Sequence, residues 1–254
     1  MRLDAHELGT VLGIWAHPDD EAYLSGALMA ASVDDGRRVV CVTATKGEAG
    51  FPDDDGRTAD ERRMLRVTEC AASMEILGVA EHHWLGYSDG GCHLIDPAVP
   101  VAKLAALIDE IRPDTVLTFG PDGMTGHDDH MAVSRWATLA VRRTAATSTS
   151  DGTPHRTPPR LLYATKTQDW NERFGAHIAL DAIMMVEGMT PPAVEPEQLA
   201  IWFRPDTALL DRKVRALRAQ SSQVDPLYRA LGDAAFHDLT AEEFFRDASF
   251  EDWR

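Results

Sequence analysis

The stretch Val11–Glu21, VLGIWAHPDDE, runs from six apolar or small residues straight into a histidine, a proline and three acids. A short apolar run without alternation, ending in polar residues, is the pattern of a strand buried on both faces, as in a parallel sheet. Two more runs share it: Arg38–Thr45 (RVVCVTAT) and Asp114–Phe119 (DTVLTF), each leading into a glycine-containing loop. Segments of helical character lie between them. Glu21–Val33 follows the first run, Ala59–Leu77 carries apolar residues at helical spacing and stops at Gly78, and Val99–Ile111 ends before Pro113. Glycine and proline are the residues expected at such ends. A weaker strand is placed at His82–Leu85. Strands alternating with helices predict an α/β fold with a Rossmann-like, mostly parallel sheet flanked by helices.

The chain has 254 residues, 44% of them hydrophobic and 26% charged, so it can bury a sizeable core without disulfide staples. After a helix beginning near His130, the segment Ala145–Pro159 (AATSTSDGTPHRTPP) is small, polar and proline-rich, as in an exposed loop. The expected organisation is one domain over 1–254: a Rossmann-like core 1–146, a loop 147–159, and a smaller C-terminal α+β extension 160–254. The extension offers a strand at Arg160–Thr167, a proline-rich turn at Thr190–Pro196 and a helix at Pro205–Gln220, with Leu209, Leu210, Val214 and Leu217 on one face.

Asp and Glu number 41 against 25 Lys and Arg, a formal charge of −16. Such a field repels polyanions, which argues against nucleic acid and anionic membranes as partners. The three cysteines, Cys41, Cys70 and Cys92, are odd in number and lack CxxC spacing, so neither a disulfide framework nor a cysteine zinc knuckle is expected. The N-terminus has no basic leader and no stretch reaches the ~20 apolar residues of a membrane span. The expectation is a cytoplasmic protein; homo-oligomerisation stays open.

Chemistry concentrates at two strand ends. The first cluster is Ala16-His17-Pro18-Asp19-Asp20-Glu21; the second is Gly120–His130, GPDGMTGHDDH. Ligands of open α/β sheets bind beyond the carboxyl ends of the strands, so both clusters stand where a site is expected. A helix cap needs one carboxylate, whereas three adjacent acids beside a histidine repel one another unless a cation or a raised pKa relieves them. Two histidines and a carboxylate from separate strand ends form the ligand set of a catalytic zinc site with an open fourth position, and His17, Asp20 and His130 are the expected ligands. Asp19 is then the candidate general base. His127, oriented by Asp129, would face a developing oxyanion.

AHPDDE at Ala16–Glu21 and GHDDH at Gly126–His130 resemble the LmbE-like, or PIG-L, family of zinc-dependent N-acetylglucosaminyl deacetylases, whose usual motifs are AHPDDE and HPDH. The similarity continues between them over roughly residues 9 to 140. Lys46-Gly47-Glu48-Ala49-Gly50 resembles the family's glycine and glutamate loop, Arg66 and Glu69 its arginine-bearing helix, and Leu85–Gly90 (LGYSDG) its LGYPDG segment. The resemblance implies a Rossmann-like sheet, one zinc ion per chain (with ferrous iron as the alternative) held by His17, Asp20 and His130, and Asp19 as base. It also implies His127 and Asp129 at the oxyanion, with Arg66, Asp89 and Glu48 contacting the substrate. The sequence departs from the family where Asp128 replaces the proline of HPDH, where Thr125 stands in place of a tyrosine, and where Gln220 takes the position of a histidine near Lys213 and Ser222-Gln223.

The function expected is hydrolytic removal of an N-acyl group, acetyl in the first instance, from an amino sugar or related small conjugate. An amidase acting on larger thiol or glycoside conjugates is the neighbouring alternative, and a non-catalytic carbohydrate-binding module with a structural metal is the alternative of a different class. A magnesium-binding receiver domain would leave His17, His127 and His130 unused. His82 and His83 are read as structural, the tryptophans as core or pocket wall, and Asp53-Asp54-Asp55 as a solvated loop.

Overall fold

The computed structural model describes residues 5–147, 157–175 and 184–249. The three apolar runs become strands β1 (Val11–Trp15), β2 (Val39–Thr43) and β4 (Thr115–Phe119), every residue of which is buried. With β3 (Glu81–Trp84) and β5 (Arg160–Ala164) they form the parallel part of a seven-stranded sheet of order β3-β2-β1-β4-β5-β9-β8. β9 (Glu243–Asp247) runs antiparallel to β5, and β8 (Leu199–Phe203) antiparallel to β9. The chain winds outward from β1 through β2 to β3, then returns to place β4 on the other side of β1. The strand order therefore reverses between β1 and β4, and a crevice opens beyond their carboxyl ends.

Helices α1 (Asp20–Asp34), α2 (Ala59–Leu77), α3 (Ala98–Ile111) and α4 (Asp128–Thr147) connect or follow these strands. α2 starts at a capping box formed by Thr58 and Glu61 and ends at Gly78, whose φ of 82° is the left-handed conformation that a C-terminal glycine supplies. α4 extends through Thr147, so the loop predicted from residue 147 begins later than expected; residues 148–156 lie outside the described residues.

The C-terminal portion departs further from expectation. The strand predicted at Arg160–Thr167 divides at Thr165. β5 stays in the main sheet, whereas β6 (Lys166–Thr167) pairs with β7 (Ala193–Val194), inside the predicted proline-rich turn. The predicted helix is α6 (Thr207–Ala219), started by the Asp206 carboxylate, which accepts the Leu209 N–H at 2.9 Å. Unforeseen are β8, β9, α5 (Gln168–Gly175), α7 (Ser221–Leu231) and α8 (Asp233–Thr240). Both added strands extend the main sheet, and α6 packs on α1 and α2.

Candidate active site

Two loops bring the histidines together. At the end of β1, the Ala16 carbonyl accepts the Thr45 N–H at 2.9 Å, which fixes the backbone before it turns. Asp19 then adopts φ 99°, a conformation that costs a non-glycine residue about 1–3 kcal/mol. Its carbonyl accepts the N–H groups of Ala22 and Tyr23 in the first turn of α1, while its side chain makes no capping bond. The carboxylate instead lies 3.3 Å from Arg66 Nη2, and the same guanidinium donates to the Pro18 carbonyl. The capping reading of Asp19 is thus excluded. Asp20 folds back so that Oδ2 accepts the His17 N–H at 2.7 Å.

At the end of β4, Gly123, Met124 and Gly126 all have positive φ. Gly123 has no substitute there, because a Cβ would stand 3.0 Å from that of His130. Its carbonyl accepts from His130 Nδ1 at 2.9 Å, and the His130 ring stacks on Phe119 at 4.2 Å between centroids. Asp128 occupies the first residue of α4, a position where proline is equally at home. That accounts for the exchange of residues in the second motif.

The three predicted ligands converge. His17 Nδ1 lies 3.1 Å from His130 Nε2, which lies 3.3 Å from Asp20 Oδ1; His17 Nδ1 is 3.7 Å from Asp20 Oδ2. Ligands bonded at 2.0–2.1 Å around a tetrahedral ion stand about 3.3 Å apart. The tautomers agree. The Gly123 carbonyl can only accept, so His130 carries its proton on Nδ1 and turns the Nε2 lone pair inward. His17 Nε2 faces Asp89 Oδ1 at 3.0 Å and Asp129 Oδ2 at 3.3 Å, so it carries the proton and leaves Nδ1 as a lone pair. Two lone pairs and a carboxylate meet at one point, which calls for a cation. His127 also brings a ring nitrogen within 4.8 Å of those of His17 and His130.

Charge distribution follows from burial and from these contacts. Burial alone lowers the pKa of His17, but hydrogen bonds to Asp129 and Asp89 and the charge of Asp20 push it up to about 10, so a cation bound at Nδ1 takes the place of a second ring proton. Burial, then the positive charge at His17, holds His130 well below the ordinary range, and the same two causes lower His127. Burial raises Asp20 and lifts Asp19 to about 6 against the pull of Arg66. Glu21 rises to about 8 through burial and the nearby Asp19 charge. Burial would raise Asp129 too, yet its bonds to His17, Gly90 and Cys92 bring it down to about 2.

Three expectations need correcting or extending. The Asp129 carboxylate does not orient His127: it accepts the N–H groups of Gly90 and Cys92 at 2.8 and 2.9 Å and faces His17, while the Asp129 backbone N–H donates to His127 Nδ1 at 3.1 Å. Neutral His127 therefore keeps its proton on Nε2. Asp89 also faces His17, its other oxygen accepting the Ala49 N–H at 2.7 Å. Glu48 pairs with Arg63 at 2.9 Å, leaving Oε2 buried without a hydrogen-bond partner, as are Arg66 Nε and Nη1. Unforeseen was Gln220, whose Nε2 donates to Glu21 Oε1 at 2.8 Å; Glu21 Oε2 accepts the Asp19 N–H at 3.0 Å. His82 bonds to Thr43 at 2.8 Å and packs on Trp84, a structural role. A polar chamber of about 350 Å³ opens over His17, Asp19, Arg66, Asp89 and His127.

The chain is similar to known proteins in sequence and in fold. The family model described as GlcNAc-PI de-N-acetylase (PIG-L) matches residues 12–141. A 1D-myo-inositol 2-acetamido-2-deoxy-alpha-D-glucopyranoside deacetylase from Kribbella flavida is 30% identical over 275 aligned residues, covering 93% of this chain and 90% of the relative. Among solved structures, N,N'-diacetylchitobiose deacetylase from Pyrococcus horikoshii superposes with a TM-score of 0.62 at 20% identity, over 95% of this chain and 84% of that one. The 4-carboxy-2-hydroxymuconate hydratase GalB from Pseudomonas putida gives 0.65 at 16% identity, over 95% and 97%. The last two likenesses speak for the fold, which hosts more than one reaction. Among the described residues no helix is long and apolar enough to cross a membrane. By the span of the family match and the full-length relative, the chain belongs to the PIG-L family of de-N-acetylases, hydrolases of non-peptide C–N bonds.

Proposed function

We propose that this chain is a zinc-dependent deacetylase acting on a small amino-sugar conjugate in the cytoplasm, with residues 1–254 working as one unit. The observation that carries this reading is the convergence of His17 Nδ1, His130 Nε2 and Asp20 Oδ1 beside Asp19. Zinc suits two imidazoles and a carboxylate better than magnesium does, and once bound it acidifies a water and polarises the amide carbonyl. Asp19, half-buried next to Arg66, accepts the proton of the attacking water and passes it to the departing nitrogen. His127 donates its Nε2 proton in a hydrogen bond to the oxyanion as the carbon becomes tetrahedral. Asp129 and Asp89 hold the His17 ring in the tautomer that ligation requires. Arg66 and Asp89, which line the polar chamber, suit sugar hydroxyls. The C–N bond breaks, and acetate and a free amine leave.

The test is release of acetate from N-acetylglucosaminides by the zinc-loaded protein, with metal content measured in parallel. Asp19→Ala is expected to keep zinc and lose nearly all turnover; His17→Ala is expected to lose both. An active Asp19→Ala protein would remove the proposed base. Sugar binding without acetate release would favour a carbohydrate-binding module instead.

A further inference from the structure

Two chambers meet at the reaction centre. Asp20, Thr125, His130, Met185 and Gln223 line both the polar chamber over His17 and a second one of about 400 Å³. Tyr23, Leu24, Phe119, Trp170, Leu227 and Leu239 wall this second space. Two of its polar groups face other parts of the protein. The Thr240 hydroxyl donates to the Phe236 carbonyl at 2.9 Å, and the Lys166 ammonium lies 4.4 Å from the Trp170 ring centre and 5.6 Å from that of Phe244. Apolar side chains supply most of its wall.

An amide has two halves that diverge from its carbonyl carbon. The polar chamber, with Arg66 and Asp89 in its lining, suits the hydroxyl-rich amine half, which leaves the apolar chamber for the acyl half. An acetyl methyl is about the size of one water, roughly 30 Å³, and would leave most of 400 Å³ unfilled. Specific pockets of ~300 Å³ and above enclose much larger groups. We infer that the apolar chamber receives the acyl chain and that the substrate class includes amino sugars N-acylated with unbranched aliphatic chains longer than acetyl, up to about a dozen carbons at roughly 30 Å³ per water-sized group. This rests on the amide-hydrolysis reading above. The chemistry is unchanged: water's oxygen bonds to the carbonyl carbon, the C–N bond breaks, the nitrogen takes the proton, and a fatty acid leaves in place of acetate.

The test is kcat/KM of the zinc-loaded enzyme for N-acetyl-, N-butyryl-, N-hexanoyl- and N-octanoylglucosamine, beside the octyl glycoside of N-acetylglucosamine. Burial at ~0.8 kcal/mol per methylene corresponds to about fourfold per CH₂, so octanoyl is expected to exceed acetyl at least a hundredfold. Leu239→Trp, which narrows the chamber, is expected to lower the octanoyl-to-acetyl ratio at least tenfold. Octanoic acid is expected to quench tryptophan fluorescence of the wild-type protein, and Trp170→Phe to remove most of that quenching. Acetyl hydrolysis with a flat or falling chain-length series would overturn this inference and leave the deacetylase standing. A gain confined to the octyl glycoside would assign the chamber to the aglycone and overturn it too. Hydrolysis of no member would sink the amidase reading and this one with it.

Discussion

Replacing Lys213 with methionine removes half of an ion pair that water does not reach. Lys213 Nζ lies 2.7 Å from Glu243 Oε1, and both side chains are 0% exposed. The lysine also donates to the Tyr23 carbonyl at 2.9 Å, and the glutamate accepts the N–H groups of Ala27 and Leu28, each at 2.8 Å. Tyr23 and Ala27 are one helical turn apart, so α6 and β9 grip α1 at a single rung. Stranding one buried charge costs about 3–5 kcal/mol, so Lys213→Met is expected to lose that amount in urea unfolding, with an unchanged m-value. Glu243→Gln strands the ammonium and is expected to cost about as much. The double variant leaves no buried charge, so it should cost less than the sum of the singles, with a coupling energy of about 1–3 kcal/mol. Single-variant losses that add to within about 0.5 kcal/mol would show that the two groups act independently, and the clamp argument would fail.

Three further outcomes follow from other contacts. Burial, with Lys213 nearby, lowers the Lys166 pKa to about 7; the unfolded chain still binds that proton up to its ordinary range near 10.4, so stability is gained as pH rises from about 7 to 10 and lost on the way down. The urea midpoint of the wild type relative to Lys166→Met should shift in that direction between pH 6 and 9, and a pH-independent difference would contradict it. Gly123→Ala forces a side chain into positive φ against His130 and displaces the carbonyl that orients the ring; chelator competition should show zinc affinity weakened about 10–100-fold, and unchanged affinity would count against that orienting role. Gln220→Leu breaks the chain from Gln220 through Glu21 to the Asp19 N–H; steady-state kinetics should show kcat down about tenfold, the rate equivalent of ~1.4 kcal/mol, with KM unchanged. Gln220→His, which keeps an N–H donor at this position, should restore it.

How much of this was legible depended on where each signal resides. The strands β1, β2 and β4 are buried on both faces, so their sequences are continuous apolar runs that need no partner to be recognised. Their order then dictates that the two acidic clusters share a crevice, which is why the motifs could be paired before any coordinates. β9 hides its nature: its first residue, Glu243, is a buried carboxylate whose partner lies on α6, and its last two, Arg246 and Asp247, are charged. Helices α5, α7 and α8 span only 8, 11 and 8 residues, lengths at which packing rather than propensity decides. The site shows the same division. Ligand identities reside in side chains, but ligand orientation resides in backbone groups: the Gly123 carbonyl aims His130, and the Gly90 and Cys92 N–H groups hold Asp129 against His17. Backbone groups have no residue identity, so Asp129 read as a partner of His127 from sequence proximity, whereas the fold assigns its carboxylate to a histidine 112 residues away. The same reason hid the apolar chamber. Its walls join α1 and β4 to the C-terminal helices, and only the sheet brings those segments to one metal-facing edge.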